Sequence, residues 1–346
     1  MPPILAAGDH FVLPELLVDA IRAEVGDDTE IRTLQAPWPE VPFGRVAEVD
    51  EASGTEDELI EALAGVRVCV AHVPPFTRRV FEAAPDLELI AVGRGGPVNI
   101  NVEAATEHGV TVCYAPGRNA VAVAEFAVAM MIAASRRMAS TAAMLAHGEW
   151  KGDAYRYDQC GPELRGSVVG IIGTGAVGTR VARILTAFGA DVLAHDPYVD
   201  PSVLEGLARY VELDELLARS SIVSLHARIS ETSRGMIGAA QLAAMPAGSV
   251  LVNTARGPLL DYDALCDALD SGHLAAAGLD VYDVEPPPPG SRLLRTPNLM
   301  LTPHIAGASR PTAANAASLP AGEAGRYLRG EPLKWCVNPE TLKARG

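Results

Sequence analysis

The sequence lacks the features that mark nucleic-acid-binding, membrane-spanning or secreted proteins. Its 28 lysines and arginines stand against 43 aspartates and glutamates, so the net charge is −15 and no basic face for phosphates is expected. The most apolar stretch, residues 120–135, contains Glu125 and is too short to cross a bilayer. Residues 1–13 carry no basic segment of the kind that opens a signal peptide. We therefore predict a cytoplasmic protein that binds neither nucleic acid nor a membrane.

Cysteine is scarce and shows no pattern. The five cysteines are scattered, odd in number, and no two of them form a C-x-x-C pair. A disulfide framework or a zinc site would need paired or clustered cysteines. We therefore predict reduced thiols and no metal site. The cysteines are Cys69, Cys113, Cys160, Cys266 and Cys336.

What the chain does contain is an alternation of short apolar runs and amphipathic segments, which is typical of α/β proteins. Its 346 residues are enough for two domains of about 150 residues each. Segment 36–51 is rich in proline and predicts irregular structure. Helices are predicted over residues 14–25, 56–64, 78–84, 119–146, 180–188 and 311–328, and strands over residues 31–34, 66–71, 87–92, 110–113, 168–172, 191–195, 222–225, 249–253, 277–279 and 299–301.

A glycine-rich turn follows one of these strands. Residues 168–172 run into a Gly-x-Gly-x-x-Gly sequence from Gly173 to Gly178, a helix comes next, and the following strand ends at Asp196. This order is typical of a dinucleotide-binding βαβ unit. Gly173 would permit the tight turn, Gly175 would let the backbone approach a pyrophosphate, and Gly178 would let helix and strand pack closely. The alternative is a glycine-rich turn in an α/β domain that binds no nucleotide.

Three side chains with complementary chemistry, Arg256, Glu285 and His304, each follow an apolar strand in the second half of the chain. Ligands of open α/β sheets bind at the carboxyl ends of the strands. A guanidinium can hold a carboxylate and polarise a carbonyl, an imidazole can move a proton near neutral pH, and a carboxylate can orient that imidazole and favour its charged form. Each residue alone could instead be a surface ion-pair partner, a loop acid or a loop histidine. The prediction of a catalytic site therefore depends on the three together.

Around these residues the sequence resembles the D-isomer-specific 2-hydroxyacid dehydrogenases, the family that includes D-3-phosphoglycerate dehydrogenase. The resemblance covers about residues 66–330 and depends on segments that match the family in order and spacing. These segments are the glycine-rich turn, Ser224-Leu225-His226, Asn253-Thr254-Ala255-Arg256-Gly257, Leu279-Asp280-Val281 and Thr302-Pro303-His304-Ile305-Ala306-Gly307.

The resemblance implies an α/β fold of two doubly wound parallel-sheet domains. A Rossmann domain that binds NAD is expected over residues 117–310, and a flavodoxin-like, discontinuous substrate domain over residues 1–116 and 311–346. The active site is expected in the cleft between them. There His304 would be the acid/base catalyst, assisted by Glu285, and Arg256 would bind and polarise a 2-keto acid.

The resemblance also implies how the cofactor is held. Asp280 would accept a hydrogen bond from the nicotinamide carboxamide, and Asp196 would accept bonds from the adenosine ribose. A carboxylate at the second position repels a 2′-phosphate, so NAD is favoured over NADP. The predicted cofactor-binding residues are Gly173, Gly175, Ala176, Val177, Gly178, Asp196, His226, Thr254, Ala255 and Asp280.

The loop after strand 87–92 departs from the family pattern, because it lacks the usual aspartate. The backbone N–H groups of Gly95 and Gly96 could still hold a carboxylate, and Arg94 could either join them or form a structural ion pair. Segment 71–76 has no lysine or arginine, so an uncharged tail on the 2-keto acid is predicted over a phosphorylated one. The predicted substrate-binding residues are Gly95, Gly96, Arg256 and His304.

A homodimer is predicted because helix 120–138 is too apolar for a solvated surface, and the resemblance places it against a second subunit. Trp150, Tyr155 and Tyr157 could add aromatic anchors to that interface. The alternative is that the helix is buried within its own chain. Two other functions remain open: oxidation of D-3-phosphoglycerate in serine synthesis, and a corepressor-like role in which the protein senses NAD.

Overall fold

The computed structural model describes residues 3–38 and 44–343, and the chain forms two compact units. Unit 1 consists of Met1–Asn119 and Ala308–Gly346, and unit 2 consists of Ala120–Gly307. The strands are β1 (Ile4–Gly8), β2 (Ile31–Gln35), β3 (Gly44–Val46), β4 (Val49–Ala52), β5 (Val68–Ala71), β6 (Leu89–Val92), β7 (Thr111–Cys113), β8 (Val168–Ile172), β9 (Asp191–His195), β10 (Arg209–Tyr210), β11 (Ile222–Leu225), β12 (Ser249–Asn253), β13 (Leu274–Leu279) and β14 (Leu299–Leu301). The α-helices are α1 (Pro14–Val25), α2 (Glu56–Leu63), α3 (Arg78–Ala83), α4 (Val102–Glu107), α5 (Ala120–Ser135), α6 (Met138–Ala146), α7 (Gly178–Ala187), α8 (Leu213–Arg219), α9 (Ala239–Ala244), α10 (Tyr262–Asp270), α11 (Arg310–Arg329) and α12 (Glu340–Lys343).

Unit 1 is built on a five-stranded parallel sheet in the order β2-β1-β5-β6-β7. Counted along the chain, these parallel strands have the 2-1-3-4-5 order of flavodoxin-like folds. Alternate residues of a strand face opposite apolar cores: Leu5 and Ala7 of β1 lie in one core, and Ile4 and Ala6 lie in the other. A sheet covered on both faces needs apolar residues at every strand position, which explains why its central strands read as continuous apolar runs.

The sequence analysis did not predict several short elements of unit 1. The pattern did not predict β1 or α4, and segment 36–51, expected to be irregular, contains the antiparallel pair β3–β4; its residues 39–43 lie outside the described residues. Helix α4 begins at a cap in which the Asn101 side chain accepts the Ala104 N–H at 3.0 Å. Six residues are too few for a helical period to show in the sequence, so this cap was its clearest signal.

Helix α11 packs on unit 1 through small residues, with Ala316, Ala321 and Ala324 buried against the sheet. Pro320 lies inside this helix and cannot donate to the carbonyl of Ala316. A Cβ at Gly93 would collide with that carbonyl oxygen. Glycine at position 93 therefore lets the end of β6 approach the helix at the turn that Pro320 opens.

Unit 2 is built on a seven-stranded parallel sheet in the order β10-β9-β8-β11-β12-β13-β14. Its first six strands along the chain have the 3-2-1-4-5-6 order of the Rossmann fold, and the sheet extends by one more strand. The strand order of both sheets confirms the predicted α/β class with two doubly wound domains.

The single helix predicted over residues 119–146 is wrong, because the chain breaks between α5 and α6. Arg137 adopts a left-handed conformation, with φ 51°, and its guanidinium donates to the Gln159 side chain at 2.6 Å. Helix α5 packs against α7 and β12 of its own unit, which accounts for its apolar composition. No residue of α6 is buried in the chain. Over the described ranges, 3–38 and 44–343, no helix is long and apolar enough to cross a membrane.

Candidate active site

The glycine-rich turn between β8 and α7 leaves room for a ligand. Gly173 has φ 94°, and a Cβ there would lie 2.5 Å from the Ala227 nitrogen. A Cβ at Gly178 would collide with the Gly173 carbonyl, whereas one at Gly175 would meet no atom within 4 Å. The first and third glycines therefore allow the chain to pack on itself, and the second faces open space. No side chain in the described part of the chain caps the start of α7. The N–H groups of Thr179 and Arg180 donate to backbone carbonyls, whereas those of Ala176, Val177 and Gly178 have no acceptor among the described residues and are available to an anion.

Asp196 ties the end of β9 to this turn. Its Oδ2 accepts the Thr174 N–H at 2.7 Å, and its Oδ1 accepts the Tyr198 N–H at 3.0 Å. The hydroxyl of Tyr210, on β10, donates to the Thr174 hydroxyl at 2.7 Å, so Thr174 is also held by a third strand. A carboxylate oxygen can accept two bonds, so Oδ1 keeps a site for a ligand hydroxyl.

Two buried polar atoms near the carboxyl ends of β11 and β12 lack partners among the described residues: Nδ1 of His226 and Oγ1 of Thr254. The Nε2 of His226 is paired with the Ser224 hydroxyl at 3.0 Å, and burial lowers the pKa of this histidine to about 4. A buried polar atom without a partner costs stability unless a ligand or water satisfies it. Together with the open space at Gly175, these orphaned atoms fit a bound dinucleotide.

Asp280, fully buried at the end of β13, organises the loop that carries His304. Its Oδ1 accepts the Thr302 hydroxyl at 2.6 Å and the Ile305 N–H at 2.9 Å, and its Oδ2 accepts the Ala306 N–H at 2.8 Å. These bonds hold the residues on both sides of His304, which itself has φ 53°. Among the described residues, three of the four acceptor positions of this carboxylate are therefore engaged, and the fourth, on Oδ2, has no donor.

Glu285 and His304 form a hydrogen-bonded pair, with 2.7 Å between Glu285 Oε2 and His304 Nδ1. The other oxygen of Glu285 accepts the Tyr282 N–H at 3.0 Å, and the Tyr282 hydroxyl donates to the Thr302 carbonyl at 2.8 Å. Burial acts to raise the pKa of Glu285, but the bond and charge of His304, the Tyr282 N–H and the nearby Arg256 lower it overall. Tyr282 thus supports both members of the pair, a role that the sequence analysis missed although Tyr282 directly follows Leu279-Asp280-Val281.

Arg256 lies after β12 with its side chain exposed. The Asn253 side chain accepts the Ala255 N–H at 3.0 Å and donates to the Arg256 carbonyl at 2.9 Å, which fixes the backbone of this loop. A Cβ at Gly257 would collide with the Tyr282 carbonyl, so the arginine loop packs directly on the loop that leads to Glu285. The structure therefore brings Arg256, Glu285 and His304 together on one edge of unit 2.

Unit 1 contains a second carboxylate–histidine pair that the sequence analysis did not predict. His72 Nδ1 lies 2.5 Å from Asp9 Oδ2, and both side chains are buried. Burial lowers the pKa of His72. The other oxygen of Asp9 accepts the backbone N–H groups of Phe11 and Val12 at 2.6 and 2.9 Å. No motif marks these residues; only the fold brings the ends of β1 and β5 side by side.

The loop after β6 contains Arg94, Gly95 and Gly96, and their surroundings in the structure differ. Arg94 is buried and forms an ion pair with Glu51, which favours the structural role left open by the sequence. In the described residues the N–H groups of Gly95 and Gly96 have no acceptor, and a Cβ on either glycine would meet no atom within 4 Å. These two N–H groups could therefore bind an anion.

Comparison with known proteins adds to this geometry. The family model described as "D-isomer specific 2-hydroxyacid dehydrogenase, NAD binding domain" matches residues 128–306. The D-3-phosphoglycerate dehydrogenase of Archaeoglobus fulgidus is 35% identical over 301 residues, 87% of this chain and 56% of that protein. The glyoxylate reductase of Korarchaeum cryptofilum is 37% identical over 298 residues, 86% of this chain and 90% of that protein.

A solved structure agrees. The NAD-complexed D-isomer specific 2-hydroxyacid dehydrogenase of Lactobacillus delbrueckii ssp. bulgaricus superposes with a TM-score of 0.79 and 25% identity, over 97% of this chain and 100% of that one. The chain belongs to the D-isomer specific 2-hydroxyacid dehydrogenase family. It spans about half the length of the phosphoglycerate dehydrogenase that it matches. The matched NAD binding domain and the NAD-complexed neighbour support NAD as the cofactor.

Proposed function

We propose that the chain is an NAD-dependent D-2-hydroxyacid dehydrogenase, which interconverts a D-2-hydroxy acid and its 2-keto acid. The observation that carries this proposal is the Glu285–His304 pair at 2.7 Å, on the edge of the sheet that also presents Arg256 and the glycine-rich turn. NAD, when bound, supplies the hydride chemistry. The chain's own residues bind, orient and protonate the substrate.

His304 is the proposed acid/base catalyst. Its Nδ1 is engaged by Glu285, so its Nε2 is the ring nitrogen that can exchange a proton with the substrate oxygen. The side chain is 46% exposed, which leaves the imidazole accessible to a ligand. In keto-acid reduction, protonated His304 would donate the proton that forms the hydroxyl, and Glu285 would stabilise the charged imidazole beforehand.

Arg256 is the proposed substrate-binding cation, because its exposed guanidinium can hold a carboxylate with two parallel bonds. The N–H groups of Gly95 and Gly96 are the proposed further contacts to the substrate. The cofactor would be held by the glycine-rich turn, the ends of the strands that follow it, and the loops after β12 and β13. These residues are Gly173, Gly175, Ala176, Val177, Gly178, Asp196, His226, Thr254, Ala255 and Asp280.

A 2-keto acid with an uncharged tail is the proposed substrate. Residues 71–77 of unit 1 are buried, and the segment includes no lysine or arginine. The glyoxylate reductase relative supports a small substrate, whereas the D-3-phosphoglycerate dehydrogenase relative supports the phosphorylated alternative.

NADH consumption with glyoxylate, pyruvate, hydroxypyruvate and 3-phosphohydroxypyruvate distinguishes the two substrate classes. We expect the highest kcat/KM with an unphosphorylated acid; a much higher value for 3-phosphohydroxypyruvate would identify the alternative. Retained NADH binding without any turnover would instead indicate the NAD-sensing role.

NAD rather than NADP is the proposed cofactor in use, because Asp196 would repel a 2′-phosphate. We expect a much higher kcat/KM with NADH than with NADPH. In Asp196→Ser the difference between the two kcat/KM values should be smaller. Asp214→Ser is a matched control, since it removes a carboxylate from α8 of the same unit. Equal kcat/KM values for NADH and NADPH in the unaltered protein would contradict the proposal.

A homodimer in the cytoplasm is the proposed form of the protein. Helix α6 and the segment after it are exposed and rich in apolar side chains: Trp150 is 85% exposed, Tyr155 93% and Tyr157 97%. Large aromatic side chains at such a surface are typical of protein interfaces. Light scattering should give about twice the chain mass of 36.3 kDa. Trp150→Ser with Tyr157→Ser should dissociate the dimer, and Tyr198→Ser, at an exposed tyrosine outside the segment, should not. A monomeric unaltered chain would refute the proposal.

A further inference from the structure

Two cysteines that are far apart in the sequence face each other in unit 1. Cys113, the last residue of β7, is paired with Cys336 by an antiparallel bridge. The backbone N–H groups of Tyr114 and Val337 donate across the pair at 3.1 and 2.9 Å. Because these bonds flank the two cysteines, their Cα atoms form a non-hydrogen-bonded pair, for which the separation is about 4.5 Å. A disulfide spans Cα separations of about 4.4–6.8 Å.

Side chains hold this register from both directions. The buried carboxylate of Glu323, on α11, accepts the N–H groups of Lys334 and Trp335 at 2.8 and 3.1 Å. On the other side, the buried Asn338 side chain accepts the Val112 N–H at 2.8 Å. The backbone on both sides of Cys336 is therefore fixed against β7, and side-chain rotation is all that bond formation between the two sulfurs requires.

The two thiols are suited to different steps of an oxidation. Cys113 is buried and Cys336 is partly exposed, and the Cys336 thiol donates to Asn338 Oδ1 at 3.9 Å. The neighbouring Cys113 thiol lowers the pKa of Cys336, although burial and the nearby carboxylates of Glu323 and Glu340 oppose the shift. The neighbouring Cys336 and burial raise the pKa of Cys113. Cys336 is thus the better attacking thiolate, and Cys113 is placed to resolve the product.

We propose that Cys113 and Cys336 form a reversible disulfide when the protein meets a hydroperoxide. In the first step the Cys336 sulfur attacks a peroxide oxygen, so that an S–O bond forms, the O–O bond breaks, and the leaving oxygen departs as alcohol or water. In the second step the Cys113 sulfur attacks the sulfenic Cys336, the S–S bond forms, and the sulfenic oxygen leaves as water with the Cys113 proton. Two thiols and one hydroperoxide therefore give one disulfide, one alcohol or water from the peroxide, and one further water. A dithiol reductant reverses the change.

The bond would tie the segment around Cys336 covalently to β7, which is the edge strand of its sheet. The bridged residues lie on the two chain segments that compose unit 1. Such a tie restricts the unfolded chain and so stabilises the folded one. The inference does not depend on the proposed function, because it concerns thiols outside the candidate active site.

The full chain is tested with the substitution Cys160→Ser, which removes the exposed thiol that could link two molecules. This protein is treated with hydrogen peroxide. Free thiols are then blocked with N-ethylmaleimide, and peptides are mapped without reduction. We expect one linked pair of peptides, containing Cys113 and Cys336, that disappears with dithiothreitol. The thermal midpoint should rise by about 5 °C on oxidation. A peroxide-treated protein in which Cys336 is oxidised or alkylated but never linked to Cys113 would overturn the proposal.

Matched variants distinguish a specific pair from general oxidation. Cys336→Ser should abolish both the linked peptide and the rise in thermal midpoint, whereas Cys266→Ala, at a buried cysteine of unit 2, should abolish neither. In Cys113→Ala, Cys336 should accumulate as a sulfenic acid that dimedone traps. If Cys113→Ala fails to fold, Cys336→Ser alone decides, since the partly exposed site tolerates serine. A linked peptide that persists in Cys336→Ser with another cysteine would refute the assignment.

Discussion

Two carboxylate–histidine pairs of nearly equal length lie in opposite surroundings. In unit 1, His72 and Asp9 are 2.5 Å apart, with side chains 3% and 0% exposed; in unit 2, His304 and Glu285 are 2.7 Å apart, with side chains 46% and 23% exposed. Both histidines bond to the acid through Nδ1. The chemistry of the two pairs is therefore the same, and solvent access is what differs.

Solvent access determines whether each imidazole can exchange a proton with a ligand. The Nε2 of His72 is buried and has no hydrogen-bond partner in the described ranges, 3–38 and 44–343, and burial lowers the pKa of His72 so that it is neutral near pH 7. His304 is half exposed and can meet a substrate. A buried neutral histidine that donates to a carboxylate holds structure together, whereas an exposed one on a fixed loop can transfer a proton.

The largest expected effect separates the two histidines by activity. His304→Ala should lower kcat by about 10²–10⁴, the usual contribution of a positioned acid/base group, and leave NADH binding nearly unchanged. His72→Asn should change kcat far less, because its side chain is buried away from solvent. Steady-state kinetics and fluorescence titration with NADH measure both. A fully active His304→Ala variant would remove His304 from the mechanism.

Stability should depend more on the buried pair than on the exposed pair. Asp9→Ala removes the acceptor of three hydrogen bonds within a buried site and should destabilise unit 1 by about 1–3 kcal/mol for each buried donor that is left without a partner. Glu285→Ala should cost much less stability, because its pair is partly solvated. Urea denaturation compares the two variants. Equal losses of stability would mean that burial does not distinguish the pairs.

Glu285→Gln tests whether the carboxylate of the exposed pair acts through the histidine. Glutamine keeps the shape but removes the charge, so the protonated imidazole loses its stabilisation and kcat should fall about 10- to 100-fold. The pKa of Glu285 lies below its usual range, so its carboxylate stays ionised in the unaltered protein down to about pH 4.5. Steady-state kinetics measure the change, and an unchanged kcat in the variant would count against the pairing.

The smallest expected effect is the pH dependence of stability. The pKa of His72 is lowered by burial and that of His226 is lowered to about 4, so below about pH 6.5 the unfolded chain binds protons that the folded chain does not. Stability should therefore fall by about 1–3 kcal/mol as the pH drops from about 6.5 towards 4. Thermal unfolding at several pH values measures this loss, and His226→Asn should reduce it. A stability that rises on acidification over this range would contradict both shifts.

The sequence analysis succeeded where a signal is local. The strand–turn–helix pattern around Gly173 and the motif that contains His304 both depend on residues that are neighbours in the chain, and the structure places them as expected at strand ends. It failed at the break near Arg137, because alanine-rich sequence reads as helix on either side of a single left-handed residue. It also missed Tyr282, whose contribution comes from bonds to two separate loops.

By itself, the sequence determined the α/β class and the family, and it indicated the residues that are proposed to carry the chemistry, because periodicity and motif spacing are properties of the chain alone. Tertiary structure decided which strand ends meet. It brought Asp9 to His72, 63 residues away, and Cys113 to Cys336. It also decided which of the two acid–histidine pairs is buried, and burial fixes whether an imidazole can exchange a proton or can only hold the fold.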